Sequence, residues 1–260
     1  MAVIQSLRSA GYDPEFFDID GLRPTFDDVL AHFQREAPEV VAISAVVSTA
    51  YGYVKKLCLA LRQILPDSKI VLGGNLAASA ELLHRNCTVD VCVIGEGEKP
   101  IVNLMRHYKD NPVTDDYDEL HKIQGISYLD GSGHIVFTGY ELPIAPAELF
   151  DPDYSILETY SEISHFIYDP FSRRDFSEDP RSGESQRAGK MMGQVVFTKG
   201  CVARCTFCHR WDRGFRQHPV EKVIAQIQYL MDRYNVGFIQ FGDENFGSDR
   251  KATEELIRLI

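Results

Sequence analysis

Three short apolar runs, VVAISAVV (40–47), KIVLGG (69–74) and VDVCVIG (89–95), alternate with stretches of helical periodicity over the first 108 residues. Continuous β-branched runs of this kind mark strands buried on both faces, the pattern of a parallel sheet. The helical stretches are equally clear. In PTFDDVLAHFQREAP, Thr25 is placed to cap, Phe26, Val29, Leu30 and Phe33 share a face, and Pro38 ends the run. Tyr51, Val54, Leu57, Cys58, Leu61, Ile64 and Leu65 recur at three- and four-residue steps before Pro66. Further helices are expected over VIQSLRSAG, around AASAELLHR and from about Pro100 to Tyr108, with FFDID as a short strand candidate. Strands alternating with helices through short loops predict an α/β fold with a doubly wound parallel sheet. Ligands of such sheets bind outside the carboxyl ends of the strands. Here those ends run into SAVVSTAYG, GGNLAAS and GEGEKP. Gly73, Gly74, Gly95 and Gly97 allow a bulky ligand to approach the backbone. The alternative is that the three loops are ordinary βα turns. A sheet of this kind normally opens with a strand, whereas this chain opens in a helix, so either that strand is supplied differently or the sequence is a fragment lacking it.

Beyond that domain, IQGISYLDGSGHIVFT (123–138) reads as a hairpin around DGSG, and the proline-containing and polar stretch to residue 192 as a linker with an exposed loop. QVVFTKG (194–200) is a strand ending at Cys201. Pro219 opens a helix with Val220, Val223, Ile224, Ile227, Leu230, Met231 and Tyr234 on its apolar side; VGFIQFGDENF is the next strand and KATEELIRLI the next helix. The expected organisation is therefore 1–122, 123–192 and 193–260, the last a βαβα segment.

The net charge of −11 argues against a nucleic-acid backbone as the main partner, because that requires a basic patch. No apolar run reaches the length of a membrane span, and the N-terminus lacks the basic flank and apolar core of a signal peptide. A cytoplasmic location is expected, and with it reduced cysteines. Cys58, Cys87 and Cys92 lie among apolar residues and read as small buried hydrophobes.

Cys201, Cys205 and Cys208 need another account, for FTKGCVARCTFCHRW gathers them as CxxxCxxC. A structural zinc site requires four ligands, and His209 beside Cys208 is poorly placed to be the fourth. CTFCH is a haem-attachment string, but it leaves Cys201 unexplained and such haem is attached outside the cytoplasm. A [4Fe–4S] cluster held by three thiolates keeps one iron open for chemistry, and Gly200 suits the tight turn that convergence of the sulfurs needs.

CxxxCxxC after a strand and before a helix, with Phe207 ahead of the third cysteine, resembles the cluster loop of radical SAM enzymes. The segments VVAISAVV, KIVLGGN and VDVCVIGEGEKP resemble the cobalamin-binding domain that precedes the barrel in one subgroup of that family. The resemblance implies that Cys201, Cys205 and Cys208 hold a [4Fe–4S] cluster whose open iron binds S-adenosylmethionine. One electron, from a donor such as flavodoxin or ferredoxin, then cleaves it to a 5′-deoxyadenosyl radical. Phe207 would lie against adenine, and Asp243 and Glu244 of GDENF would help hold the methionine part; the alternative for this pair is a solvated acidic turn. Ser44, Val46, Gly73, Gly74 and Gly95, Glu96, Gly97 and Glu98 would face cobalamin. The cobalt-ligating DxHxxG string is absent, and neither His84 nor His121 is expected to ligate cobalt. The implied barrel is TIM-like and cut after about two βα units, which would leave sheet edges and the cluster exposed. No residue is assigned an acid–base role.

The function so implied is a cobalamin-dependent radical SAM enzyme, with methyl transfer to an unactivated carbon of a small molecule as the commonest chemistry; ring formation and rearrangement occur in the same subgroup. The competing classes are an iron–sulfur carrier or partner-binding fragment that binds no cobalamin, and a zinc-stabilised binding module.

Overall fold

The computed structural model describes residues 1–111, 116–172, 178–206 and 214–260. The chain forms two compact units, Met1–Glu15 with Arg23–Pro143, and Phe16–Leu22 with Ile144–Ile260.

The elements follow in chain order. Helix α1 (Ala2–Ser9) and the single turn α2 (Ile19–Leu22) precede α3 (Phe26–Glu36). Strand β1 (Val40–Ser44), α4 (Tyr51–Ile64), β2 (Lys69–Gly73), α5 (Ala80–Asn86), β3 (Val91–Val93) and α6 (Glu98–Asp110) then alternate. A short α7 (Tyr117–Leu120) leads to the hairpin β4 (Ile126–Leu129) and β5 (Ile135–Phe137). FFDID does not form a strand. Asp18 Oδ1 accepts from the Gly21 N–H at 3.0 Å, and this local side-chain bond turns the chain into α2.

The first unit is an α/β fold around a sheet of order β1-β2-β3-β4-β5, parallel across β1, β2 and β3 and antiparallel thereafter. α3 starts as its sequence dictates, with Thr25 Oγ1 accepting from the Asp28 N–H at 3.2 Å in a reciprocal capping box. Val71, Val91, Val93, Ile126 and Tyr128 pack against Leu7 of α1 and Ile101, Leu104 and Tyr108 of α6. Ile70, Leu72 and Cys92 belong to the opposite face and are buried with Leu57, Cys58 and Leu61 of α4 and Leu83 of α5. Cys58, Cys87 and Cys92 are fully buried, and desolvation pushes the thiols of Cys58 and Cys92 up to about 12. They are core residues, as their apolar surroundings imply. The expectation of strands buried on both faces holds for β2 and β3 but not for β1, where Ala42 is exposed. Among the described residues β1 pairs only with β2, so it lies at the sheet edge.

The 123–138 hairpin forms around Asp130, whose Oδ1 accepts from the N–H groups of Ser132 (2.9 Å) and His134 (2.8 Å), with Gly133 at φ +78°. It does not belong to a linker. Val93 pairs with Ile126, so β4 and β5 extend the sheet, and the first unit closes after Pro143 rather than near residue 122.

The second unit opens with α8 (Tyr154–Tyr160), then β6 (Met191–Val195), β7 (Thr198–Cys201), β8 (Gly214–Gln217), α9 (Val220–Tyr234), β9 (Val236–Phe241) and α10 (Arg250–Leu259). β6 and β9 are parallel and joined through α9, a βαβ crossover. The strand expected at 194–200 is two elements: β6 enters the parallel pair, and β7 breaks away to pair antiparallel with β8. The expected linker also contributes to the core, for Tyr154, Leu157 and Ile167 pack with Val195, Phe197, Val223, Leu230 and Val236. Gly193 permits this packing, since a Cβ there would lie 3.2 Å from both Leu230 Cδ1 and Val236 Cγ2. Met231, expected on the apolar side of α9, is exposed.

One bond of His84 fastens α5 to the hairpin, and another holds the turn before β3. His84 is buried, with Nδ1 3.1 Å from the Val89 carbonyl and Nε2 3.3 Å from Ser127 Oγ. Nδ1–H donates to the carbonyl, so Nε2 accepts from the serine. Burial lowers the His84 pKa below its usual 6.5. The unfolded chain therefore takes up this proton first. We expect stability to fall as pH drops through about 6.5, levelling off below the folded pKa. Urea denaturation between pH 7.5 and 5.5 should show a shallower slope for His84→Gln than for the wild type, because that group no longer titrates.

Candidate functional site

In the first unit the ends of the parallel strands are brought level by their register, with Ser44 opposite Gly73. The Ala45 N–H continues the ladder to the Gly73 carbonyl at 3.0 Å, and the Ala45 carbonyl then accepts from Leu76 at 3.0 Å. This close crossing is possible because residue 74 is glycine. Gly74 has φ +80°, and a Cβ there would lie 2.4 Å from the Ala45 carbonyl oxygen. Gly73 is open by contrast, its nearest atom to an added Cβ being Ile43 O at 4.0 Å. Val46 and Val47 stand 61% and 58% exposed just beyond β1, an apolar surface beside that open backbone. The sequence pointed to Val46 and not to Val47, which is exposed beside it in the same loop.

The third loop is held by Ile94 N–H to the Gly125 carbonyl at 2.8 Å, and Gly95 turns at φ +99°. Gly97 caps α6. Glu98 differs from expectation. It is buried in the first turn of α6, and its carbonyl accepts from Ser6 Oγ at 2.8 Å, which ties it to α1. Its acidic side chain at a helix N-terminus suits the macrodipole. Gly95, Glu96 and Gly97 are half-buried and more accessible than Glu98. Ser44, Val46, Gly73, Gly74, Gly95 and Glu96 thus lie on one side of the sheet, at the carboxyl ends of β1, β2 and β3. What these ends present is open backbone at Gly73, half-buried Gly95 and Glu96, and exposed aliphatic surface at Val46 and Val47. His84 takes no part, having both ring nitrogens engaged within the domain, and His121 lies past α7 and is exposed.

In the second unit the site is built on the chain between β6 and β7. Asp243, just after β9, receives the Phe197 N–H on Oδ2 at 3.2 Å, and both the N–H and Oγ1 of Thr198 on Oδ1 at 2.5 Å. The His218 N–H donates to the Phe197 carbonyl at 2.9 Å. Phe197 and Thr198 are buried, so these bonds form in a poorly solvated place. Burial lowers the His218 pKa as it does that of His84, with Lys222 and Lys199 adding to the effect and Asp151 and Asp243 opposing it.

From this anchor β7 runs to Cys201, opposite Gly214. Gly200 has φ +84°, and a Cβ on it would come within 2.3 Å of the Gly214 carbonyl oxygen. The glycine expected to shape the turn is therefore required by both backbone conformation and close approach. Cys201 is half-buried and Cys205 exposed, unlike the three core cysteines. Cys201 Sγ accepts from the Ala203 N–H at 3.4 Å and from Asn245 Nδ2 at 3.3 Å. Phe207 and Cys208 lie outside the described residues. Glu244 is exposed between Asp243 and Asn245. Asp243 uses both oxygens on the backbone of 197–198, which sequence reading did not foresee. Asn245 was also missed; its only signal was its place beside the acidic pair.

Among the described residues one group of His, Cys, Asp or Glu has converging ligand atoms, Glu15, His32 and Glu36. It is an ion-pair network. Arg35 donates to Glu36 at 2.6 Å and lies 3.0 Å from His32 Nδ1, while His32 Nε2 faces Glu15 at 3.3 Å. No helix of the described residues is long and apolar enough to cross a membrane.

Residues 1–105 match the family described as the B12 binding domain. Over 252 residues the chain is 27% identical to the anaerobic magnesium-protoporphyrin IX monomethyl ester cyclase of Cereibacter sphaeroides, covering 95% of this chain and 37% of that protein. It is also 27% identical over 247 residues to the cytidylyl-2-hydroxyethylphosphonate methyltransferase of Streptomyces wedmorensis, covering 89% of this chain and 44% of that one. The solved structure of the cobalamin-dependent S-adenosylmethionine radical enzyme OxsB superposes over 99% of this chain and 33% of its own, with a TM-score of 0.73 at 19% identity. A second OxsB structure, with aqua-cobalamin and S-adenosylmethionine bound, gives 0.67 at 20% identity over 94% of this chain and 31% of its own. The likeness to OxsB is one of fold. The B12 binding domain match and these likenesses support a relationship to cobalamin-binding radical SAM enzymes. The chain spans less than half the length of these relatives.

Two substitutions test the second site. Gly200→Ala should cost roughly 1–3 kcal/mol, since it forces a side chain into a left-handed, sterically closed position. Asp243→Asn should cost roughly 1–3 kcal/mol, because an amide group replaces an acceptor facing backbone donors. Urea denaturation followed by circular dichroism measures both; values within error of the wild type would refute the anchoring described here.

Proposed function

We propose that the chain is the cofactor-binding part of a cobalamin-dependent radical SAM enzyme. In this reading Cys201, Cys205 and Cys208 hold a [4Fe–4S] cluster, and the carboxyl ends of β1, β2 and β3 hold cobalamin. The observation that supports it most is the environment of Cys201. Its sulfur receives two N–H groups on a hairpin forced into place by Gly200 and Asp243, the setting of a thiolate ligand rather than of a buried thiol. We read β6 and β9 as the first two strands of a TIM-like barrel, with the cysteines at the carboxyl end of the first.

When bound, the cluster supplies one-electron cleavage of S-adenosylmethionine, and cobalamin supplies a transferable methyl group. The residues of the chain bind and orient. Asp243 fixes the backbone that leads to the cysteines. We assign the ammonium of the methionine part to Glu244, exposed at the end of β9, and, from the family resemblance of the cysteine loop alone, adenine to Phe207. Val46 and Val47 offer apolar contact to the face of a corrin, and Gly73 and Gly95 let it approach the backbone. The electron would come from a flavodoxin- or ferredoxin-class donor, and the substrate would be a small molecule.

Methyl transfer to an unactivated carbon is the reaction we favour. Ring formation is the second reading, because a cyclase and a methyltransferase are similar to this chain at the same 27% identity.

Metal analysis under anaerobic conditions tests the assignment. Protein reconstituted with iron, sulfide and hydroxocobalamin should carry about four irons with matching sulfide. Iron should be lost, and cobalt kept, when Cys201, Cys205 and Cys208 are all changed to alanine. The reduced protein should release 5′-deoxyadenosine from S-adenosylmethionine. Zinc without sulfide would overturn the cluster. Iron without cobalt would remove cobalamin and leave an iron–sulfur protein.

A further inference from the structure

The carboxamide of Asn245 is not needed for the fold of β9, which ends at Phe241, nor for α10, whose first turn is capped by Asp249 accepting from Ala252 at 3.1 Å. It points instead at sulfur. Asn245 Nδ2 lies 3.3 Å from Cys201 Sγ, and the Ala203 N–H approaches the same atom at 3.4 Å. Asn245 is held where it can do this. Asp243, two residues earlier, is locked to Phe197 and Thr198, and Phe246 on its other side packs against Phe241 and Phe197 with ring centroids 4.7 and 6.1 Å away. The amide is thus clamped between a carboxylate anchor and an aromatic anchor, and its donor reaches the first cysteine of the loop across 44 positions of sequence.

We propose that Asn245 is a positioning residue for the cluster, setting the reduction potential through its hydrogen bond to Cys201 sulfur. This rests on the reading that the three cysteines hold a [4Fe–4S] cluster. Adding one electron to such a cluster increases the negative charge carried by its sulfurs. An N–H aimed at a ligand sulfur stabilises the reduced form more than the oxidised form, so the potential rises. Asn245 therefore makes the cluster easier to reduce. The same bond fixes the orientation of the Cys201 side chain relative to the end of β9, where Glu244 stands.

The test is a redox titration of the full chain, reconstituted anaerobically and reduced stepwise with dithionite, with the reduced cluster followed by electron paramagnetic resonance. Three proteins are compared: wild type, Asn245→Ala and Asn245→Asp. The alanine variant removes the donor. The aspartate variant keeps the shape and places a negative oxygen against the sulfur. The expected order of midpoint potential is wild type highest, alanine lower, aspartate lowest. A purely structural role predicts the reverse order for the variants, since aspartate preserves size and alanine does not. Equal midpoints in three proteins that each carry iron and sulfide, or an aspartate variant at or above the alanine one, would overturn the proposal. A wild-type chain that binds no iron and sulfide would instead overturn the cluster reading on which it stands. Circular dichroism melts of the three confirm that all are folded when titrated.

Discussion

The carboxylate of Asp243 is the interaction on which the second unit turns. β6 is a parallel strand whose partner, β9, lies beside it, and a chain leaving such a strand would ordinarily run straight on into a loop and helix. Here it bends at Phe197 and Thr198 into an antiparallel hairpin. That bend exposes backbone N–H groups away from either ladder, in a place where water is scarce. A buried unpaired N–H costs about 1–3 kcal/mol. Asp243 satisfies two of them and a hydroxyl with one side chain. Because Asp243 sits at the end of β9, the bond also joins the two strand ends. Cys201 and Asn245 are brought together as a consequence.

The first unit is secured at the opposite end of its strands. Arg62 of α4 donates to the carbonyls of Pro66, Ser68 and Thr88 and pairs with Asp90 at 2.5 Å, while Asp90 also accepts from the Ile70 N–H at 2.6 Å. This network closes the amino ends of β2 and β3. The carboxyl ends, in contrast, are left with glycine backbone and exposed valines. The polarity of a parallel sheet explains why the two ends differ: helices enter one end and leave the other, and loops at the exit end remain free to vary and to bind. The B12 binding domain match over residues 1–105 covers that sheet up to α6. The hairpin β4–β5, which lies beyond the match, covers what would otherwise be the free edge of β3.

Much of this was legible locally. The capping box of Thr25, the helical spacing of α4 and α9, the turn at Asp130 and the parallel character of the first three strands all depend on residues within a few positions of one another. So did the separation of the cysteines, because three among apolar neighbours and three in one loop announce different surroundings. What was not legible was anything that needed a partner far along the chain. The hairpin read correctly as a hairpin but not as part of the sheet, since its pairing to β3 is made across 33 positions at Val93–Ile126. The segment before β6 read as a linker because its apolar residues, Tyr154, Leu157 and Ile167, are sparse; their burial appears only when α9 and Phe197 are beside them. β1 read as doubly buried because composition does not say which strand is at an edge.

The division between the two levels is physical. Sequence by itself determined the α/β class, the three strand-end loops with their glycines, the strand–helix–strand that follows, and the cysteine spacing that suits a cluster, because periodicity, turn chemistry and close spacing are short-range properties of the chain. Only the tertiary structure decided that Glu98 is buried under α1 instead of lying open, that Asp243 serves the backbone, and that Asn245 reaches the sulfur of Cys201. Each of these depends on a hydrogen bond or contact between residues dozens of positions apart, and which polar group meets which is set by the packing that brings them together.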